Sequence, residues 1–73
     1  MLPQLSYNLG MLYFQMEAYD ESLREFMDAS QQERLAPFAF FAIGCCEYLS
    51  GKYYAAIEHF KETLNVRITI DAI

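Results

Sequence analysis

Shift the sequence by 34 residues against itself and Pro3 falls on Pro37, Gly10 on Gly44, Tyr19 on Tyr53 and Phe26 on Phe60. Similar residues pair at the same offset: Tyr7 with Phe41, Leu9 with Ile43, Ser22 with Ala56, and Leu23 with Ile57. A period of this length is the mark of a stacked repeat, each unit of which buries its apolar face only against a neighbour. The matched residues fall where a helical hairpin needs them. The glycines mark close approach of two helices, and the tyrosines open the second helix of each unit.

Apolar residues at Leu5, Leu9, Leu12, Tyr13 and Met16 have helical spacing and predict a helix from Gln4 to about Met16. After a turn at Glu17 and Ala18, Tyr19 to about Gln32 carries a stripe of Leu23, Phe26, Met27 and Ser30. Its acids cluster early, where the helix dipole favours them. Glu33 to Ala36 connects to a very apolar helix from Pro37 to Leu49, with the proline suited to a first turn. Gly51 serves as the helix stop. Tyr53 to about Asn65 repeats the second stripe with Ala56, Ile57, Phe60 and Leu64. From Val66 to Ile73 apolar and polar residues alternate as far as Ile70, a strand-like pattern. With nothing to pair with, this tail is expected to be irregular or frayed, or the start of something further. The fold class that follows is all-α: a single domain over residues 1–73, with a first repeat at about 3–36, a second at about 37–66 and a tail at 67–73.

Composition excludes several functions. Charged residues are 21% and apolar residues 55%, too apolar for a disordered tail. The longest apolar run, Ala36 to Cys46, is about half of a membrane span and contains a proline and a glycine. Net charge is −5, and Arg24, Arg34, Lys52, Lys61 and Arg67 are scattered, so neither nucleic acid nor an anionic membrane is an expected partner. Cys45 and Cys46 are adjacent and close no loop. They fit a reducing, cytoplasmic setting and read as buried structural thiols. One His and two Cys provide no zinc-ligand spacing. His59, near Glu58 and Glu62, reads as part of a solvated helix face. The acids Glu17, Asp20, Glu21, Glu25 and Asp28 lack a calcium-loop pattern and read likewise. No enzyme activity, catalytic residue, metal or cofactor is expected.

With these residues in place, the chain resembles the tetratricopeptide repeat family, a helix-turn-helix module of the same period. The matching residues are Leu9-Gly10, Tyr13, Tyr19, Phe26 and Ala29, then Ile43-Gly44, Gly51, Tyr53, Ala56 and Phe60. They cover about residues 3–66. Ser22 stands where the family usually has Ala, Glu47 where it has a bulky apolar residue, and Thr63 where it has a small one. The resemblance implies two tandem hairpins forming a fragment of a right-handed α-solenoid. Its first helices would line a concave face that binds peptides or proteins. The family's groove positions fall on Gln4, Tyr7, Met11, Phe14 and Gln15, and on Phe38, Phe41, Cys45, Tyr48 and Leu49. No basic residue lies on either first helix. Tyr7, Met11 and Ala42 occupy the positions at which chaperone-binding members hold a terminal carboxylate.

The implied partner therefore offers apolar anchors, as an amphipathic helix or extended apolar peptide does. Tyr7, Phe14, Phe41 and Tyr48 are the expected anchor contacts. The same aromatic stripe also suits core packing, neighbouring repeats or a homodimer contact. Two repeats form only one interface between hairpins, and at least three are usual for stability. The chain is thus expected to pair with a copy, to fold on a partner, or to be a piece of a longer array. A second resemblance, to the repeats of cytosolic NADPH oxidase activators, rests on Tyr7-Asn8-Leu9-Gly10, Glu21, Leu35-Ala36, Lys52-Tyr53, Lys61-Glu62 and Ile70-Asp71. In that family the connector and a following insertion bind a Rac-type GTPase. Here Glu33-Arg34-Leu35 lacks the family's histidine, and the insertion shrinks to Arg67 through Asp71.

Overall fold

A computed structural model describes residues 2–72, with side chains through residue 64. Four helices follow one another: α1 (Pro3–Gln15), α2 (Tyr19–Ala29), α3 (Ala36–Leu49) and α4 (Tyr53–Ala72). No strand occurs among the described residues. Each helix packs on its neighbour in sequence, α1 on α2, α2 on α3 and α3 on α4. The Cα atoms form a slab 37 × 29 × 14 Å across, so each helix keeps a face open to solvent.

The 34-residue offset is reproduced contact by contact. Tyr7 and Phe26 rings lie 5.5 Å apart, and Phe41 and Phe60 rings 5.6 Å apart. Phe14 meets Tyr19 edge-on at 5.7 Å, and Tyr48 meets Tyr53 the same way at 5.7 Å. A methyl group placed on Gly10 would come within 2.7 Å of the Phe26 ring, and one on Gly44 within 2.5 Å of Phe60. Both glycines are therefore gaps filled by a ring from the facing helix, and the two hairpins are copies of one packing unit.

Both hairpin turns are built alike. The Ala18 N–H donates to the Tyr13 carbonyl at 2.9 Å and the Glu17 N–H to Phe14 at 3.0 Å. One period later, the Lys52 N–H donates to Glu47 at 2.7 Å and the Gly51 N–H to Tyr48 at 3.2 Å. These are paired Schellman caps, which place one residue in the left-handed region. Gly51 takes it at φ 85°, where no side chain is strained. Glu17 takes it at φ 61°. A left-handed non-glycine residue costs about 1–2 kcal/mol, partly offset by the greater chain entropy that glycine loses on folding. Glu17→Gly is therefore expected to raise unfolding free energy by about 0.5–1 kcal/mol, and Gly51→Ala to lower it by about 1 kcal/mol. Urea titration followed by helicity reads both. Shifts of the same sign at the two sites would contradict the equivalence of the turns.

The core is thin and depends on small residues. Phe26, Ile43 and Cys46 are fully buried, with Tyr7, Phe14, Tyr19, Leu23, Phe40 and Ala42 packed around them. A second cluster joins Ala29, Leu35 and Ala39. The helix faces differ in part from the apolar stripes. On α1 the buried residues are Ser6 and Gly10, whereas Leu5 and Leu12 are exposed, as is Met16 at the C-cap. On α2 they are Ser22, Phe26 and Ala29, and Met27 points outward. On α4 Ala56 is buried, while Ile57 and Leu64 are exposed. Close helix approach selects small side chains, and a count of hydrophobic residues passes over them.

The tail expectation is corrected. Helix α4 runs unbroken to Ala72 in place of an irregular segment after Asn65. No Gly or Pro follows Gly51 to stop it. The β-branched residues of the tail cost only a few tenths of a kcal/mol each in a helix. A lone strand would leave its backbone groups unpaired, and the helix satisfies them. The α2–α3 connection also begins earlier than expected, because α2 ends at Ala29 and α3 begins at Ala36.

Candidate binding groove

Gly10 and Gly44 draw α2 and α4 against the first helices, and residues of α1 and α3 flanking these contacts line a groove. Met11 and Phe14 enter it from α1, Phe41, Ala42 and Cys45 from α3, and the Phe26 ring forms part of the wall. This opening has a volume of about 230 Å³. It continues into a second stretch lined by Phe14, Cys45, Tyr48, Leu49 and Phe60. Every lining side chain is apolar, aromatic or a thiol. No charged group enters.

Of the groove positions read from sequence, Met11, Phe14, Phe41, Cys45, Tyr48 and Leu49 are brought together here. Phe41 and Tyr48 are more than half exposed, at 55% and 59%. Their rings are therefore available as well as packed. Tyr7 is half-buried and packs on both core clusters. Phe38 is exposed but is not among the residues lining these two openings. Phe26, Ala42 and Phe60 contribute to the walls, although sequence reasoning assigned the two phenylalanines to the core stripes alone. The signal that could have found them is the pairing of each phenylalanine with a glycine at the same offset.

The two cysteines differ in role. Cys45 is half-buried in the groove wall. Cys46 is fully buried, and its thiol donates to Ser22 Oγ at 3.3 Å. The Ser22 hydroxyl in turn donates to the Gly10 carbonyl at 2.7 Å. Ser22, the departure from the repeat pattern, thus ties α1, α2 and α3 together through one buried polar chain. Burial raises the pKa of both thiols. Both are consequently kept in the neutral form, which is the unreactive one.

His59 is not on a solvated face. Its Nδ1 donates to Glu47 Oε1 at 2.6 Å, and its ring stacks on Phe40 with centroids 6.2 Å apart. The carboxylate of Glu47 is buried. The partner lies on α3, not at Glu62 one turn away, so the second departure from the repeat pattern is answered by a histidine on the facing helix. Asp20, Glu21 and Asp28 are exposed, whereas Glu25 is half-buried. In the connector, Leu35 belongs to a core cluster, and only Glu33 and Arg34 face solvent. The side chains of Arg67 through Asp71 lie outside those described.

Among the described residues, no group of three or more His, Cys, Asp or Glu could hold a metal ion. No helix there is long and apolar enough to cross a membrane. Compared with protein-family models, with curated proteins and with solved structures, the chain matches none.

Proposed function

We propose that this chain is a non-enzymatic interaction module of the tetratricopeptide kind, a fragment of a right-handed helical solenoid that binds an apolar or amphipathic segment of another protein. The observation that supports this reading is the continuous apolar groove from Met11 and Phe14 across Phe41 and Cys45 to Tyr48 and Leu49. It is concave, uncharged and walled by aromatic rings held by a helix scaffold. Such a surface favours anchor side chains at i, i+3, i+4 and i+7 of a docked helix. It offers nothing to a carboxylate or phosphate.

The test is a titration with labelled amphipathic peptides carrying leucine and phenylalanine anchors at those positions, against scrambled peptides of the same composition. The patterned peptides should bind and the scrambled ones should not. Tyr48→Ala, at an exposed anchor position, should weaken binding about 10-fold or more, as a hot spot does, with helicity unchanged. Phe41→Ala should do the same. Equal affinity for patterned and scrambled peptides, or binding indifferent to both substitutions, contradicts the groove assignment.

A further inference from the structure

The interface between the two hairpins has both of its halves repeated on the outside of the molecule. Within the chain, α2 presents Leu23, Phe26 and Ala29, and α3 covers them with Ala39, Ile43 and Cys46. One period after the α2 residues, α4 presents Ile57, Phe60 and Thr63. One period before the α3 residues, α1 presents Leu5, Leu9 and Leu12.

Inside the chain the two halves cover each other, and Phe26, Ala29, Ala39, Ile43 and Cys46 are all fully buried. Outside they are open. Leu5 is 49% exposed, Leu12 58% and Ile57 47%, while Leu9, Phe60 and Thr63 are half-buried. On the α4 side a cleft of about 380 Å³ lies between Phe41, Phe60, Thr63 and Leu64. It corresponds residue for residue to the Tyr7, Phe26, Ala29 and Ser30 site on which α3 sits. Where that internal contact carries the polar Cys46–Ser22 pair, the external halves carry Leu12 and Ala56, apolar on both sides.

The charge pattern agrees. Helix α1 has no charged residue over its 13 positions, although it lies at the edge of the slab. In its lack of charge it is similar to α3, the helix covered on both sides, whose one charged residue is the buried Glu47.

We propose that copies of this chain associate head to tail, with Leu5, Leu9 and Leu12 of one copy seated on Ile57, Phe60 and Leu64 of the next. The contact continues between chains the packing that joins α2 to α3 within one. The two surfaces are different, so the association is heterologous and leaves an open end after every addition. It uses the outer faces of α1 and α4 and meets the groove at Phe41 and Phe60, whose rings stand between the two.

Sedimentation over a concentration series tests this with the full chain. The expected mass rises continuously from the 8.5 kDa monomer past the dimer. Leu12→Glu blocks one end and Leu64→Glu the other, and both positions are exposed enough to leave the fold intact. Each variant alone should remain monomeric, and an equimolar mixture of the two should form a dimer and nothing larger, because one open end of each kind remains. Ile57→Lys replaces Leu64→Glu if that variant loses helicity. A helical wild-type chain that stays at 8.5 kDa at every concentration overturns the proposal, even if it binds an added α3-like peptide. Wild-type assembly combined with a mixture that does not pair also overturns it, since that result means a symmetric contact.

Discussion

Phe26→Ala is expected to unfold the chain. Phe26 is fully buried, touches Tyr7 at a ring separation of 5.5 Å, fills the gap over Gly10 and packs against Ile43 and Cys46. Removing a phenylalanine from such a site costs about 3–5 kcal/mol. A lone core of this size rarely supplies more than about 3–5 kcal/mol in total. Phe60→Ala, the equivalent change one repeat later, removes a half-buried ring and should cost about 1–2 kcal/mol, in proportion to the apolar area lost. Helicity and urea midpoints of the two variants, measured at equal concentration, read the difference. Equal losses would contradict the placement of Phe26 between the hairpins and Phe60 at their edge.

Gly10→Ala and Gly44→Ala should diverge for the same reason. Alanine in a helix interior gains about 1 kcal/mol over glycine. Against this, the new methyl group at Gly10 meets the Phe26 ring at 2.7 Å, and that ring is closed in by Tyr7, Ile43 and Cys46. Overpacking of an immobile core site costs about 1–3 kcal/mol. Gly10→Ala is expected to be destabilising by about 1–2 kcal/mol, with a lower urea midpoint. At Gly44 the contact is shorter, 2.5 Å, but the Phe60 ring faces an open cleft into which it can turn. The propensity gain and the packing cost then nearly cancel, and Gly44→Ala should fall within about 0.5 kcal/mol of wild type. Here the freedom of the neighbouring ring decides the outcome more than the distance does.

The hairpins, their period and most of the groove are legible in the sequence because glycine, phenylalanine and tyrosine recur at fixed positions for steric reasons. The matches of Gly10 with Gly44 and of Phe26 with Phe60 are read from the sequence, whereas the packing of each glycine under its phenylalanine ring comes from the structure. The buried faces are less legible. Ser6 and Ser22 are buried on the inner faces of α1 and α2, and hydrophobic periodicity has no means of registering them. Glu17 occupies a left-handed cap that only its equivalence to Gly51 reveals. The Glu47–His59 pair spans two helices, and a search for neighbours one turn apart finds Glu62 instead. The alternation after Asn65 imitates a strand, but backbone hydrogen bonding favours extending the helix already formed.

Nuclear Overhauser contacts of the three glycines test the repeat most directly. Equivalent packing requires the Gly10 α-protons to contact the Phe26 ring and the Gly44 α-protons to contact the Phe60 ring, while Gly51, with nothing within 4 Å of its β-position, contacts no ring. Both ring contacts together, with Gly51 silent, is the result expected. Absence of either ring contact in a folded chain would mean that the two hairpins are not copies of one unit, and the groove and the head-to-tail contact would lose their common basis.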